Sequence, residues 1–341
     1  MSTASTDKHT SKRNNYFDFL RAIAIIMVIG NHTCKVADFG FPSGLGNIAV
    51  LQIIKSGVPI FLAISAFFLC PRIITGPDSY FRFLTRHLKR VYIPMIFFSL
   101  PFIFGNGFGI RSVVGRMALT ALGAYSVYYF IFLIAQYYIL LPLLQRWAIR
   151  LKGLVVCALI SCVSILGVTY CNSIRGMDLP LFIYAGFFPV WIVFFALGCY
   201  ISEKRGNLRI SAGLSGCLFI MALLFSIAET YWLDKYYTDG GGIKLSVFLL
   251  SAIIILILFS KKFEDEYNKR SGFITGMFNM IGRLSFTIYL CHVYFITLLS
   301  HCRLLTSNWY LNWLMVIVIS VIAVALVDRI LPKSIGKYIG L

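Results

Sequence analysis

The sequence predicts an all-α, polytopic integral membrane protein with about ten transmembrane helices and both termini in the cytoplasm. Three observations carry this. Of its 341 residues, 59% are hydrophobic and only 13% charged, and the mean hydropathy is +0.83, whereas an average soluble domain is about half apolar and a quarter charged. The apolar residues come in blocks long enough to cross a bilayer. The lysines and arginines between the blocks gather on alternate connections.

A hydrocarbon core about 30 Å thick needs roughly 20 helical residues at 1.5 Å each. Blocks of that size lie near 16–35, 50–71, 91–108, 125–145, 153–171, 181–201, 208–230, 244–260, 279–300 and 310–330. The tail before the first block carries Lys8, Lys12 and Arg13, and the first outer connection only Lys35. The second connection holds Arg72, Arg82, Arg86, Lys89 and Arg90; the third, a mixed stretch from Gly109 to Ala124 that reads as a short interfacial helix, has Arg111 and Arg116. The pattern repeats: Arg146, Arg150 and Lys152 against Arg175, Lys204, Arg205 and Arg209 against Lys235 and Lys244. It ends with Lys261, Lys262, Lys269 and Arg270 against Arg303, then Arg329, Lys333 and Lys337. By the positive-inside rule the richer side, which holds both termini, is cytoplasmic. Residues 1–14 form a polar cytoplasmic tail, and 15–341 one transmembrane domain without room outside for a second.

The formal charge of +18 raises nucleic-acid binding, but such a protein concentrates its cations on one soluble face, and here they are scattered between apolar blocks. Disorder, collagen and coiled-coil readings fail on the long apolar blocks and the missing triplet or heptad periods. The nine cysteines form no CxxC pair and read as small core residues. The first block contains Arg21 and lacks a small-residue cleavage site, so it stays as a helix rather than leaving as a signal peptide.

Ionisable groups inside a crossing are costly and point to function unless they snorkel out. The first block carries Asp18, Arg21 and His32. Arg21 and His32 are eleven residues apart, three turns plus roughly 20°, so they share a face about 16 Å apart along the axis. Asp18 precedes Arg21 by three and can pair with it. Spacing alone divides evenly between a functional face and two residues resting in the two interfaces. In the second block Lys55, Ser56 and Ser65 form a further polar set, with Gly57 and Pro59 loosening the helix. Tyr289 and His292, three apart in the ninth block, share a face and line a common cavity or pack. Glu229 and Asp234 near the outer end of the seventh block bind sugar hydroxyls or are simply solvated. No His/Cys cluster completes a four-ligand metal site, and no nucleotide loop, GxSxG or HExxH is present.

Asp18, Arg21, Ala24 and His32 resemble the first-helix signature of the membrane acyltransferase family 3, an arginine, ten residues, then a histidine. Ser56-Gly57-Val58-Pro59-Ile60-Phe61 through Ser65-Ala66-Phe67-Phe68-Leu69 is similar to its second-helix segment, with Ala66 where glycine is usual. Phe83 to Arg90 followed by Pro94 resembles its basic stretch, with His87 at a place often held by arginine. Tyr129-Phe130, Tyr138 and Pro142 resemble its fourth helix, where the family prefers a tryptophan, and Ser285 to His292 its late "SxxIYLxH" segment.

The resemblance implies an integral-membrane O-acyltransferase of a bacterial cytoplasmic membrane. It would move an acyl group, often acetyl, from cytoplasmic acyl-CoA to a hydroxyl of a surface polysaccharide or lipid-linked glycan. On that reading Arg82, Arg86, Lys89 and Arg90 bind the polyanionic donor, guanidinium forks suiting phosphate; otherwise they are topology signals or touch anionic lipid. His32 is the base that takes the acceptor proton, or itself carries the acyl group. Arg21, oriented by Asp18, holds donor phosphate or pantetheine groups, or stabilises the oxyanion. No metal is implied. The alternative is a transporter or flippase for a glycan or small metabolite, with Arg21, Lys55, His32 and His292 along a permeation path; the absence of repeat symmetry counts against it.

Overall fold

A computed structural model describes residues 14–34, 44–104, 110–123, 126–177, 179–204, 211–233, 243–336 and 338–341. Asp234, Lys35, Lys235 and the tail up to residue 13 lie outside the described residues. The described residues contain no strand. The helices are α1 (Asn15–Thr33), α2 (Leu45–Ile54), α3 (Gly57–Leu69), α4 (Gly76–Phe104), α5 (Ile110–Ala121), α6 (Tyr129–Trp147), α7 (Leu151–Thr169) and α8 (Leu181–Tyr184), followed by α9 (Phe188–Glu203), α10 (Ala212–Leu233), α11 (Leu245–Leu258), α12 (Lys261–Asn268), α13 (Phe273–His301), α14 (Trp309–Ile330) and α15 (Lys333–Gly336). A 3₁₀ turn, Ser126–Tyr128, leads into α6.

Every apolar block carries a helix, and the mixed stretch after the third forms α5. Among the described residues, six helical spans are long and apolar enough to cross a membrane, or seven if the bent pair α11 and α12 is one span. The protein is an all-α polytopic membrane protein. Length and composition alone do not single out the other blocks, because α9 is short and because α1 and α4 carry polar residues, Asp18, Arg21 and His32 in one and the basic run in the other.

Local chemistry sets several ends. The Asn14 side chain accepts from the Tyr16 N–H and starts α1, and that of Asn308 accepts from the Tyr310 and Leu311 N–H groups and starts α14. α2 and α3 are one apolar span interrupted at Lys55 and Ser56, where Pro59 has no N–H for the carbonyl four residues back.

Small residues let the central helices meet at backbone distance, the usual device where lipid supplies no hydrophobic drive between helices. A Cβ on Gly282 of α13 would lie 1.8 Å from the Asp18 carbonyl oxygen, and one on Gly57 of α3 would lie 2.8 Å from that of Ala24. α3 and α9 meet in the same way: a Cβ on Gly198 would lie 2.4 Å from the Ala63 carbonyl oxygen and 2.8 Å from the Ala66 Cβ. The glycine missing at Ala66 is thus answered from the opposite helix. α1 packs among α2, α3, α13 and α14. Only 17–22% of the apolar windows of α7, α10 and α14 is buried, against 61% of α2–α3, so the former are the lipid-facing periphery.

Candidate active site

α1 presents its polar groups at two levels. At one end the Asp18 carboxylate is 1% exposed and accepts a 2.8 Å bond from Arg21 Nη1. The guanidinium, 30% exposed, lies 5.5 Å from the Phe68 ring centroid at the end of α3, a cation–π distance. Phe17, Phe67 and Phe259 pack around Phe68 and its neighbours, while Phe19 stacks on Tyr267 of α12. Arg21 therefore sits in an aromatic mouth with its acid partner behind it.

At the other end, the half-buried His32 ring meets that of His292 of α13, centroids 5.3 Å apart and planes at 42°. His292 is fully buried, and its Nδ1 lies 2.7 Å from the Tyr289 carbonyl oxygen. A carbonyl only accepts, so Nδ1 carries the proton. The Nε2 atom is buried and has no hydrogen-bond partner among the described residues. The Tyr289 hydroxyl donates to the Val127 carbonyl, and Tyr128 donates to that of Leu290 at 2.9 Å. These reciprocal bonds clamp α13 to the 3₁₀ turn. Tyr289 keeps its place beside His292, rings 6.1 Å apart, with its hydroxyl committed to backbone. Behind α1, Trp309 and Trp313 of α14 donate to the Gly30 and Ile26 carbonyls at 3.3 and 2.8 Å.

Arg21 and His32 share a face, but the face between them is filled. Ile25 is 0% and Val28 4% exposed, and Val28 lies against Gly57 of α3. In this conformation packed side chains separate the two polar levels.

The basic stretch lies in the first half of α4, ahead of its apolar turns. There the His87 Nδ1 donates to the Phe83 carbonyl at 2.8 Å, and its Nε2 lies 3.4 Å from Arg72 Nη1, while its ring rests on Phe83 and near Tyr138. Burial, with the positive Arg72, Arg90 and Arg86 close by, holds this imidazole below its ordinary range, opposed by the Phe83 bond. Gln145 of α6 donates to the carbonyls of Leu69, Cys70 and Arg72 at 3.3, 2.9 and 2.7 Å, fixing the chain between Phe68 and Arg72. Arg86 and Arg90 are thus gathered with Arg72 and His87, four residues of chain from the ring beneath Arg21. Arg82 and Lys89 stand exposed on the same helix. Sequence reasoning counted Arg72 only as a topology charge and His87 only as a replaced arginine, and it did not single out Gln145.

A second polar set joins α2, α10 and α11. Lys55 donates to Gln52 Oε1 at 3.4 Å, which also accepts from Ser226 at 3.3 Å, and Ser56 shares a 2.9 Å bond with Ser251. Lys244, read from sequence as an outer-loop cation, is 1% exposed and donates to Thr230. Glu229 accepts from the Ser246 N–H at 2.9 Å and caps α11. Ser65 lies half-buried on α3, one turn from Phe61 and one from Phe68.

No curated protein and no solved structure gives a significant match to the chain. The model of acyltransferase family 3, described as an acyltransferase domain, matches residues 14–328. That match takes in α1 with its Asp18, Arg21 and His32, the basic mouth and the His292 helix, nearly the whole sequence, and the chain belongs to acyltransferase family 3.

Proposed function

We propose that this protein is an O-acyltransferase that moves an acyl group, acetyl being the family's frequent choice, from cytoplasmic acyl-CoA to a hydroxyl of a surface polysaccharide or lipid-linked glycan in a bacterial cytoplasmic membrane. The observation that carries this is the combination on one central helix of a buried Asp18 paired with a partly exposed Arg21, beside a basic and aromatic mouth, with a histidine at the opposite end. Arg72, Arg86 and Arg90 offer the diphosphate and ribose phosphate of coenzyme A charge-assisted bonds, and Arg21 takes the next polar group of the donor. His32 removes the acceptor proton as its oxygen attacks the thioester carbon. The C–S bond breaks, and the leaving thiolate recovers the proton from the imidazolium. An acyl-imidazole on His32 would divide the same reaction into two steps. A pantetheine arm is slender, so the donor needs Ile25 and Val28 to yield far less than a glycan crossing along α1 would. This favours chemistry over transport.

The test uses purified protein, radiolabelled acetyl-CoA and a glycan–lipid extract of the cells that make it. Label passing to the extract with wild type and vanishing with His32→Ala supports transfer; unmodified glycan crossing sealed vesicles, with no label transferred, supports transport instead.

A further inference from the structure

His292 has a feature that packing does not require. Its ring is fully buried, one nitrogen is committed as a donor to the Tyr289 carbonyl, and the other is left as a lone pair with no hydrogen-bond partner among the described residues. A buried polar atom without a partner is destabilising and persists where something else uses it. The neighbouring titratable side chain from α1 is His32, its ring centroid 5.3 Å away, close enough for a bond between ring nitrogens directly or through one water. The other titratable groups around it are Tyr289, Cys291 and Tyr294 of α13 and Tyr128 of the 3₁₀ turn.

We infer that His292 is the positioning residue of His32: its Nε2 lone pair accepts the N–H on the His32 nitrogen turned away from the reaction. This rests on the acyltransferase reading above. The arrangement follows the logic of a base oriented by a third group, with a neutral imidazole in place of a carboxylate. Accepting that N–H leaves the reactive nitrogen of His32 with its lone pair toward the acceptor hydroxyl. When the hydroxyl proton moves to His32, both its nitrogens carry protons; one stays on the bond to His292 and the other goes to the leaving thiolate. No proton passes to His292, so the balance is unchanged.

The same geometry explains the clamp on α13. The Tyr289 carbonyl is the acceptor that sets the His292 tautomer, and the bonds of Tyr289 to Val127 and of Tyr128 to Leu290 hold that turn of α13 in register. Each layer fixes the one in front of it.

Two substitutions separate positioning from packing. His292→Asn keeps a donor where Nδ1 meets the Tyr289 carbonyl but has nothing at the place of Nε2. His292→Gln reaches that place with an amide oxygen that accepts. Full-length purified variants are assayed with radiolabelled acetyl-CoA and the glycan–lipid extract, and their thermal unfolding is recorded. The expected result is a fall in kcat of about 10–100-fold for His292→Asn, the range seen when partners that orient a functional histidine are removed. The KM for acetyl-CoA stays at the wild-type value, and His292→Gln recovers most of the rate. The inference is overturned if His292→Asn turns over at the wild-type rate, or if it outperforms His292→Gln, or if both lose activity only in step with stability. A wild type that labels nothing in the extract overturns the acyltransferase reading itself, an outcome distinct from an active wild type with indifferent variants.

Discussion

Gly282→Ala places one methyl group where α13 crosses α1. The added carbon would lie 1.8 Å from the Asp18 carbonyl oxygen and 2.4 Å from its carbon, where ordinary contact begins near 3.4 Å. The helices must therefore separate by about 1.6 Å at the crossing or shift past one another. The obstacle is main chain and cannot rotate away, so the cost belongs at the upper end of the roughly 1–3 kcal/mol found for overpacking. Alanine's helix propensity returns at most about 1 kcal/mol. A net loss of about 2–3 kcal/mol corresponds to an apparent melting temperature lower by roughly 4–12 °C on the scaling for soluble domains. Asp18 is also the partner of Arg21, so donor use falls as well. Gly276, on the same helix, is exposed with open space around it, and Gly276→Ala should be neutral or stabilising by up to about 1 kcal/mol. Both variants are compared with wild type by thermal unfolding in detergent and by acetyl transfer. Gly282→Ala melting at the wild-type temperature would refute the close crossing and the reasoning built on it.

Arg21→Ala should raise the KM for acyl-CoA by roughly 10–100-fold, the worth of one charged hydrogen bond. Arg21→Lys should recover only part of this, because an ammonium lacks the planar fork; steady-state kinetics with an unchanged KM would remove Arg21 from donor binding. Lys244→Met takes the cation from a buried site beside Thr230 and Glu229. Loss of this charged hydrogen bond to Thr230 should cost about 1.5–3 kcal/mol, and adding Thr230→Val should restore part of the loss in a double-mutant cycle of unfolding. Because His87 is held below its ordinary value of 6.5, the unfolded chain takes up a proton there at higher pH than the folded one. Its contribution is therefore unaffected above that value and is lost as the solution is acidified through it. His87→Gln should flatten the stability profile over that interval, and an unaltered slope would contradict the burial of the ring.

Much of this protein was readable along the chain. The apolar blocks and their polar breaks follow from bilayer thickness and helical rise, and each received a helix. The Asp18–Arg21 pair and the shared face of Arg21 and His32 needed only the 100° step of an α-helix, a local rule. Gly57 and Pro59 marked the break between α2 and α3 because proline removes a donor wherever it occurs. Other features depended on which helices meet. His32 and His292 are 260 positions apart, and nothing periodic in either helix says that they face each other. Arg72 joins His87 only because Gln145 of a third helix holds the end of α3. Lys244 looked like a loop cation until α10 and α11 enclosed it, and the plug of Ile25 and Val28 between the two polar levels is a property of packing against α3. Hydropathy tells lipid from water, and an apolar side chain against a neighbouring helix is as apolar as one against lipid. What decides the neighbour is contact at single small residues such as Gly282, Gly57 and Gly198. One-dimensional sequence determined what each helix is; only the three-dimensional close approach of backbones decided which polar groups share a site.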